Sequence, residues 1–175
     1  MKKLPLLAAV VLAVGTAHAQ SGTFSFVGQV VETTCVVEPV SGLSGAGSDF
    51  TVPLPGIERG RLATARQRGP AQAFVLQVGS RDAPCRQDRV SARLVNAGDT
   101  TTGGRLHNRG TATGVELVLL DAQGRDIDLN GPGFQVVQFD SGGVAQLGWK
   151  VAYQATGPAS TGSVYSRLQY LLDYP

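Results

Sequence analysis

The sequence closes with Gly162-Ser163-Val164-Tyr165-Ser166-Arg167-Leu168-Gln169-Tyr170-Leu171-Leu172-Asp173-Tyr174-Pro175. Val164, Ser166, Leu168, Tyr170, Leu172 and Tyr174 fall at every second position and share one face, while Ser163, Tyr165, Arg167, Gln169, Leu171 and Asp173 share the other. Period two over this length predicts one strand of about thirteen residues, well above the usual five or six. The stretch has few charges and no proline before Pro175, so little in it blocks pairing. A long strand with an apolar face must pair with something, because at an open edge it is an aggregation hazard.

The same alternation recurs upstream. Phe74, Leu76 and Val78 alternate with Val75 and Gln77, and Val90, Ala92 and Leu94 with Ser91 and Arg93. Val115, Leu117 and Leu119 flank Glu116, and Trp149, Val151 and Tyr153 alternate with Lys150 and Ala152. These runs read as half-buried strands. Between them stand turn formers: Asn96-Ala97-Gly98-Asp99, Asp121-Ala122-Gln123-Gly124, Asn130-Gly131-Pro132-Gly133 and Asp140-Ser141-Gly142-Gly143. Ser41 to Asp49 is Gly/Ser-rich and reads as a surface loop, and Leu62 to Arg68 as at most one helical turn. About seven strands in one domain, with no repeat and no linker, predict an all-β sandwich.

The N-terminus has a different pattern. Met1-Lys2-Lys3 precedes an apolar run from Leu6 to Val14 and the sequence Ala17-His18-Ala19. A basic start, a short apolar stretch and an A-x-A site predict a secretory signal peptide over residues 1–19; the competing reading is a buried helix. The run is too short to span a bilayer, and no second long apolar run follows. Removing nineteen of 175 residues leaves 156, starting at Gln20, with room for a real core. Removing Lys2 and Lys3 leaves 13 basic against 13 acidic residues. A neutral chain offers no electrostatic case for binding nucleic acid or an acidic membrane. In the mature start, Gly22, Phe24, Phe26 and Gly28 share one face, and aromatics so near a terminus need a docking place. That place is either their own sandwich or another molecule reached by strand addition.

Cys35 and Cys85 are the two cysteines. An exported chain with an even count suggests one disulfide, closing a loop of about fifty residues and contributing roughly 3–4 kcal/mol. A two-thiol metal site competes, but the mature chain offers a single histidine, His107.

Taken in order, these segments resemble a chaperone–usher pilin of the type 1 fimbrial kind. Gly22-Thr23-x-x-Phe26-x-Gly28-x-Val30-Val31 with Cys35 resembles the N-terminal extension and first strand. Thr51-Val52-Pro53-Leu54 with Leu62-Ala63 resembles the following strand, and Phe74-Val75-Leu76 with Cys85 the strand bearing the second cysteine. Gly114 to Leu117 with Leu120-Asp121-x-x-Gly124 resembles a mid-domain hairpin, and Val151 to Gly157 the penultimate strand. Gly162 through Tyr170 to Tyr174 resembles the C-terminal motif.

The resemblance implies an incomplete immunoglobulin-like β-sandwich, the pilin fold, completed by a donor strand. Residues 1–19 would be the signal peptide, 20–31 the donor extension and start of the first strand, and 32–175 the pilin domain. Gly162, Val164, Ser166, Leu168, Tyr170, Leu172 and Tyr174 would form the groove edge, which a periplasmic pilus chaperone also grips. The donor residues would be Gly22, Phe24 and Phe26, with Gly22 at the usual small-residue position. The partners implied are neighbouring pilin subunits, the chaperone and an outer-membrane usher, in a fimbrium at the cell surface.

Nothing points to an enzyme, a cofactor or a metal. His107 sits in Leu106-His107-Asn108-Arg109, which reads as a polar loop. Asp126 and Asp128 read as the exposed face of a short strand, and Arg59, Arg61, Arg66 and Arg68 as a solvated basic loop. Gly42-x-x-Gly45-x-Gly47 lacks the strand–helix context of a phosphate cradle. Two alternatives stand beside a fibre-forming subunit. One is a minor, adaptor or terminating subunit, since only Gln20 and Ser21 precede Gly22. The other is a secreted carbohydrate-binding sandwich, although 156 residues leave no room for a separate receptor domain.

Overall fold

The computed structural model describes residues 35–96, 98–132 and 134–175, all within one structural unit. Its strands are β1 (Val37–Ser41), β2 (Ser44–Ala46), β3 (Asp49–Thr51), β4 (Gln72–Val78), β5 (Arg89–Asn96), β6 (Leu106–His107), β7 (Val115–Leu120), β8 (Phe134–Gln138), β9 (Ala145–Ala155) and β10 (Leu168–Asp173). The one helical element among the described residues is a 3-10 turn at Arg59–Leu62, earlier than the turn expected from Leu62 to Arg68.

The strands form two open antiparallel sheets and a small hairpin. The larger sheet has the order β1-β4-β9-β7-β6, the smaller β10-β5-β8, and β2 pairs with β3. The alternating residues read from the sequence supply the core between the sheets. Phe74, Leu76 and Val78 point inward from β4, Leu147, Trp149 and Val151 from β9, and Val90, Ala92 and Leu94 from β5. The Phe74 and Trp149 rings lie 5.8 Å apart across their register pair. All of β7 is buried, so Glu116 is not on a solvent face: its carboxylate accepts Gln154 Nε2 at 3.1 Å and meets Arg105 at 3.3 Å. A buried carboxylate requires such partners.

The disulfide is Cys35–Cys85, with Cα atoms 5.3 Å apart. It ties the chain entering β1 to the connection between β4 and β5, where the Gly79 amide also donates to Val36 O at 2.7 Å. Both links fasten the outermost strand of the larger sheet.

The C-terminal segment departs from the expectation of one strand of thirteen residues. Only β10, Leu168–Asp173, pairs with a neighbour, in register from Leu168 opposite Asn96 to Asp173 opposite Ser91. Residues 163–167 keep the period-two exposure but have no strand beside them among the described residues. The reason is length: β5 ends at Asn96, so the pairing surface ends before the alternating sequence begins.

Candidate functional site

The residues assigned to a groove edge share one face, as the alternation requires. Val164, Ser166, Leu168, Tyr170, Leu172 and Tyr174 are each half-buried, and each intervening residue is exposed. No residue of this row reaches full burial, whereas Leu147, Trp149 and Val151 of β9 do. Tyr165 and Leu171, on the outer face, are 55% and 50% exposed. Gly162 precedes the row in an exposed turn.

Edge geometry explains what this strand offers. Successive residues of a strand point their N–H and C=O groups to opposite sides. The outward-facing residues direct theirs toward β5 and its continuation. Before β5 is reached, side chains take the place of a strand. Ser163 N–H donates to Thr111 Oγ1 at 2.9 Å, Tyr165 N–H to Asn108 Oδ1 at 2.9 Å, and Arg167 N–H to Asp99 Oδ2 at 3.0 Å. In return Ser163 O accepts Ala112 N–H at 3.0 Å, and Tyr165 O accepts Arg109 N–H at 2.7 Å. The groups of Val164, Ser166 and the residues in step with them therefore point to the other edge. No strand lies there among the described residues.

A second apolar row faces this edge. Phe50, Val52 and Leu54 are half-buried and alternate with exposed Thr51, Pro53 and Pro55. The Phe50 ring stacks on Tyr170 with centroids 6.3 Å apart, and Tyr170 Oη donates to Ser48 O at 2.9 Å. Burial pushes the Tyr170 phenol up, helped by the nearby Asp49 carboxylate and Tyr174. At the far end Ile57 and Val164 line a cavity of about 220 Å³ floored by Leu62, Val115 and Tyr153. Both rows pack on the main core. The two half-buried apolar rows, Phe50–Ile57 and Val164–Tyr174, thus meet at Phe50 and Tyr170 and at Ile57 and Val164.

Asp99, within the Asn96–Asp99 turn sequence, is 2% exposed and ion-paired with Arg109 Nε at 2.7 Å. Three readings need correction. Leu106 and His107 are not loop but strand β6, with Leu106 buried and His107 opposite Glu116. Arg68 is not a free loop cation, since it donates to Gln154 Oε1 at 2.6 Å and grips Asp126 with both terminal nitrogens. Asp126 forms an isolated bridge to Leu120 instead of lying in a strand, and Asp128 Oδ1 accepts the Asn130 amide at 2.9 Å. Gly22, Phe24 and Phe26, with the segments 1–19 and 20–31, lie outside the described residues.

Comparison with known proteins settles the family. The chain is 30% identical over 181 residues to the major fimbrial subunit SMF-1 of Stenotrophomonas maltophilia, spanning 97% of this chain and 99% of that one. The chain belongs to the fimbrial subunit family. This fimbrial subunit is also 28% identical to fimbrial subunit type 1 of Klebsiella pneumoniae, over 99% of its own length and 94% of the relative's. No family model matches it.

Solved structures match its fold at low identity. The P pilus rod subunit PapA superposes with a TM-score of 0.56 at 12% identity, covering 76% of this chain and 97% of that one. The structure of a chaperone–usher pilus gives 0.57 at 14% identity, over 93% and 100%. The fimbrial subunit is an open, incomplete sandwich of the pilin type. It is a structural component exported to the cell surface within a fimbria, it associates with other subunits of its kind, and it is not an enzyme. No helix among the described residues is long and apolar enough to cross a membrane.

Proposed function

We propose that this fimbrial subunit polymerises by donor-strand exchange. The N-terminal segment of one subunit adds as a strand along the free edge of Val164–Tyr174 of the next and fills the groove opposite Phe50–Ile57. The observation that carries the reading is the C-terminal row itself: six alternating residues half-covered, beside an edge with no partner strand among the described residues. An edge of this kind calls for strand addition, in which main-chain hydrogen bonds supply affinity and alternate side chains enter pockets.

Residues 20–31 would be the donor, with 1–19 removed on export and 32–175 forming the acceptor domain. Phe24 and Phe26 would enter the groove, each contributing about 1.5–3 kcal/mol on full burial. Gly22 would let the donor backbone lie close to the groove. Before assembly, a periplasmic chaperone would lend its own strand to the same edge, and an outer-membrane usher would be where the exchange occurs.

The test is Phe26→Asp. A charge at a buried donor position blocks fibre formation while the variant still co-purifies with its chaperone. Fibres of ordinary length from this variant would remove Phe26 from the donor.

A further inference from the structure

The strand sequence outruns its partner by five residues. Such an overhang ordinarily frays, because ordering chain without a ladder costs conformational entropy with no bonds in return. Here every second amide of the overhang is taken by a side chain: Ser163 by Thr111, Tyr165 by Asn108 and Arg167 by Asp99. The three acceptors come from the segment between β5 and β7, and they follow the strand in antiparallel order.

These acceptors are themselves fixed. The Asp99 side chain is 1% exposed, accepts Arg109 Nε on Oδ1, and has Arg167 Nε at 3.9 Å from Oδ2. Asn108 is buried, donates to Ala112 O at 2.7 Å and accepts the Gly110 amide at 2.8 Å. Gly110 lies so close to the overhang that a Cβ there would collide with the Ser163 carbonyl. The arrangement is close-packed on the side of the overhang toward Gly110.

We propose that Asp99, Asn108 and Thr111 are positioning residues for strand capture, forming a side-chain rail in place of the missing pairing strand. Resting on the donor-strand reading, the rail extends the receptive edge from Leu168 back to Val164, beside the cavity at Ile57. It holds that edge extended before a donor arrives, so the ordering cost falls on folding and not on capture. None of the three needs to touch the donor.

The test uses the full chain, hydrogen exchange and a synthetic peptide of residues Gln20–Val31. Asp99→Ala and Thr111→Val should each raise exchange at the Arg167 and Ser163 amides, respectively, by about tenfold, the scale set by losing one hydrogen bond. Amides of β4 and β9 should not change, and peptide association should slow by a similar factor. Asp99→Asn keeps an acceptor for the Arg167 amide and should restore part of both. Thr111 is exposed, so its variant carries the test even where Asp99→Ala fails to fold. Unchanged peptide association despite loosened amides would make the rail a purely structural feature and overturn the proposal. Unchanged amides would overturn it as well. Failure of the unaltered chain to capture the peptide would instead remove the donor-strand reading, and the rail's role with it.

Discussion

The ring of Phe50 stacks on that of Tyr170, with centroids 6.3 Å apart and planes inclined by 26°. Phe50 lies in β3 of the β2–β3 hairpin and Tyr170 in the last strand, so this pair joins the two half-buried rows at the Phe50 end. The hydrogen bond from Tyr170 Oη to Ser48 O at 2.9 Å supports the same junction, and at the other end Ile57 and Val164 line one cavity.

Phe50→Ala should therefore cost about 1–2 kcal/mol, the sum of a half-buried ring and its aromatic pairing. The urea midpoint should fall while the slope stays constant, since the core is untouched. A loss above about 4 kcal/mol, on the scale of a fully buried Phe, would mean that Phe50 belongs to the core and not to a groove wall.

Asp99 makes the protein's acid response specific. Burial pushes its carboxyl up, but the hydrogen bond from Arg109, the Arg167 amide and the two guanidinium charges outweigh burial and hold it below the ordinary value. The folded pKa is thus depressed. The stability it contributes is complete above the unfolded value of about 3.9 and is lost as pH falls through the lower folded value. Asp126, held down chiefly by its Arg68 hydrogen bond, acts in the same direction. Urea midpoints should stay level from neutral pH to about pH 4 and drop below it. Asp99→Asn should flatten part of that drop. A drop centred near pH 5–6 would show that burial wins and that Asp99 is protonated there.

Ser166 Oγ is buried on the half-buried face and makes no hydrogen bond among the described residues. An unpaired buried hydroxyl costs about 1–3 kcal/mol. Ser166→Ala should accordingly leave stability unchanged or raise it by about 1 kcal/mol. A loss of similar size would show that the hydroxyl has a partner in solution.

The core was legible because its signal is local. Phe74, Leu76, Val78, Val90, Ala92 and Leu94 alternate strictly, and burial on one face is what alternation means physically. The C-terminal row was legible for the same reason. Its pairing was not, because where a strand ends depends on the length of β5, a distant segment. The opposite wall carries a weaker signal: Val52 and Leu54 alternate with Pro53 and Pro55, and prolines argue against a strand. The rail was invisible. Asn96-Ala97-Gly98-Asp99 has turn chemistry, and nothing local distinguishes a solvated Asp from one buried against an arginine ten residues on. Glu116 hides likewise, since its partner Gln154 stands 38 residues away.

The groove itself is tested most directly by urea unfolding of the oxidised chain lacking residues Gln20 to Val27, with and without a synthetic Gln20–Val31 peptide. The expected result is a marginal domain whose midpoint rises with peptide concentration, as ligand binding to the folded state alone requires. A domain already stable and indifferent to the peptide would mean a closed sandwich, and would contradict it.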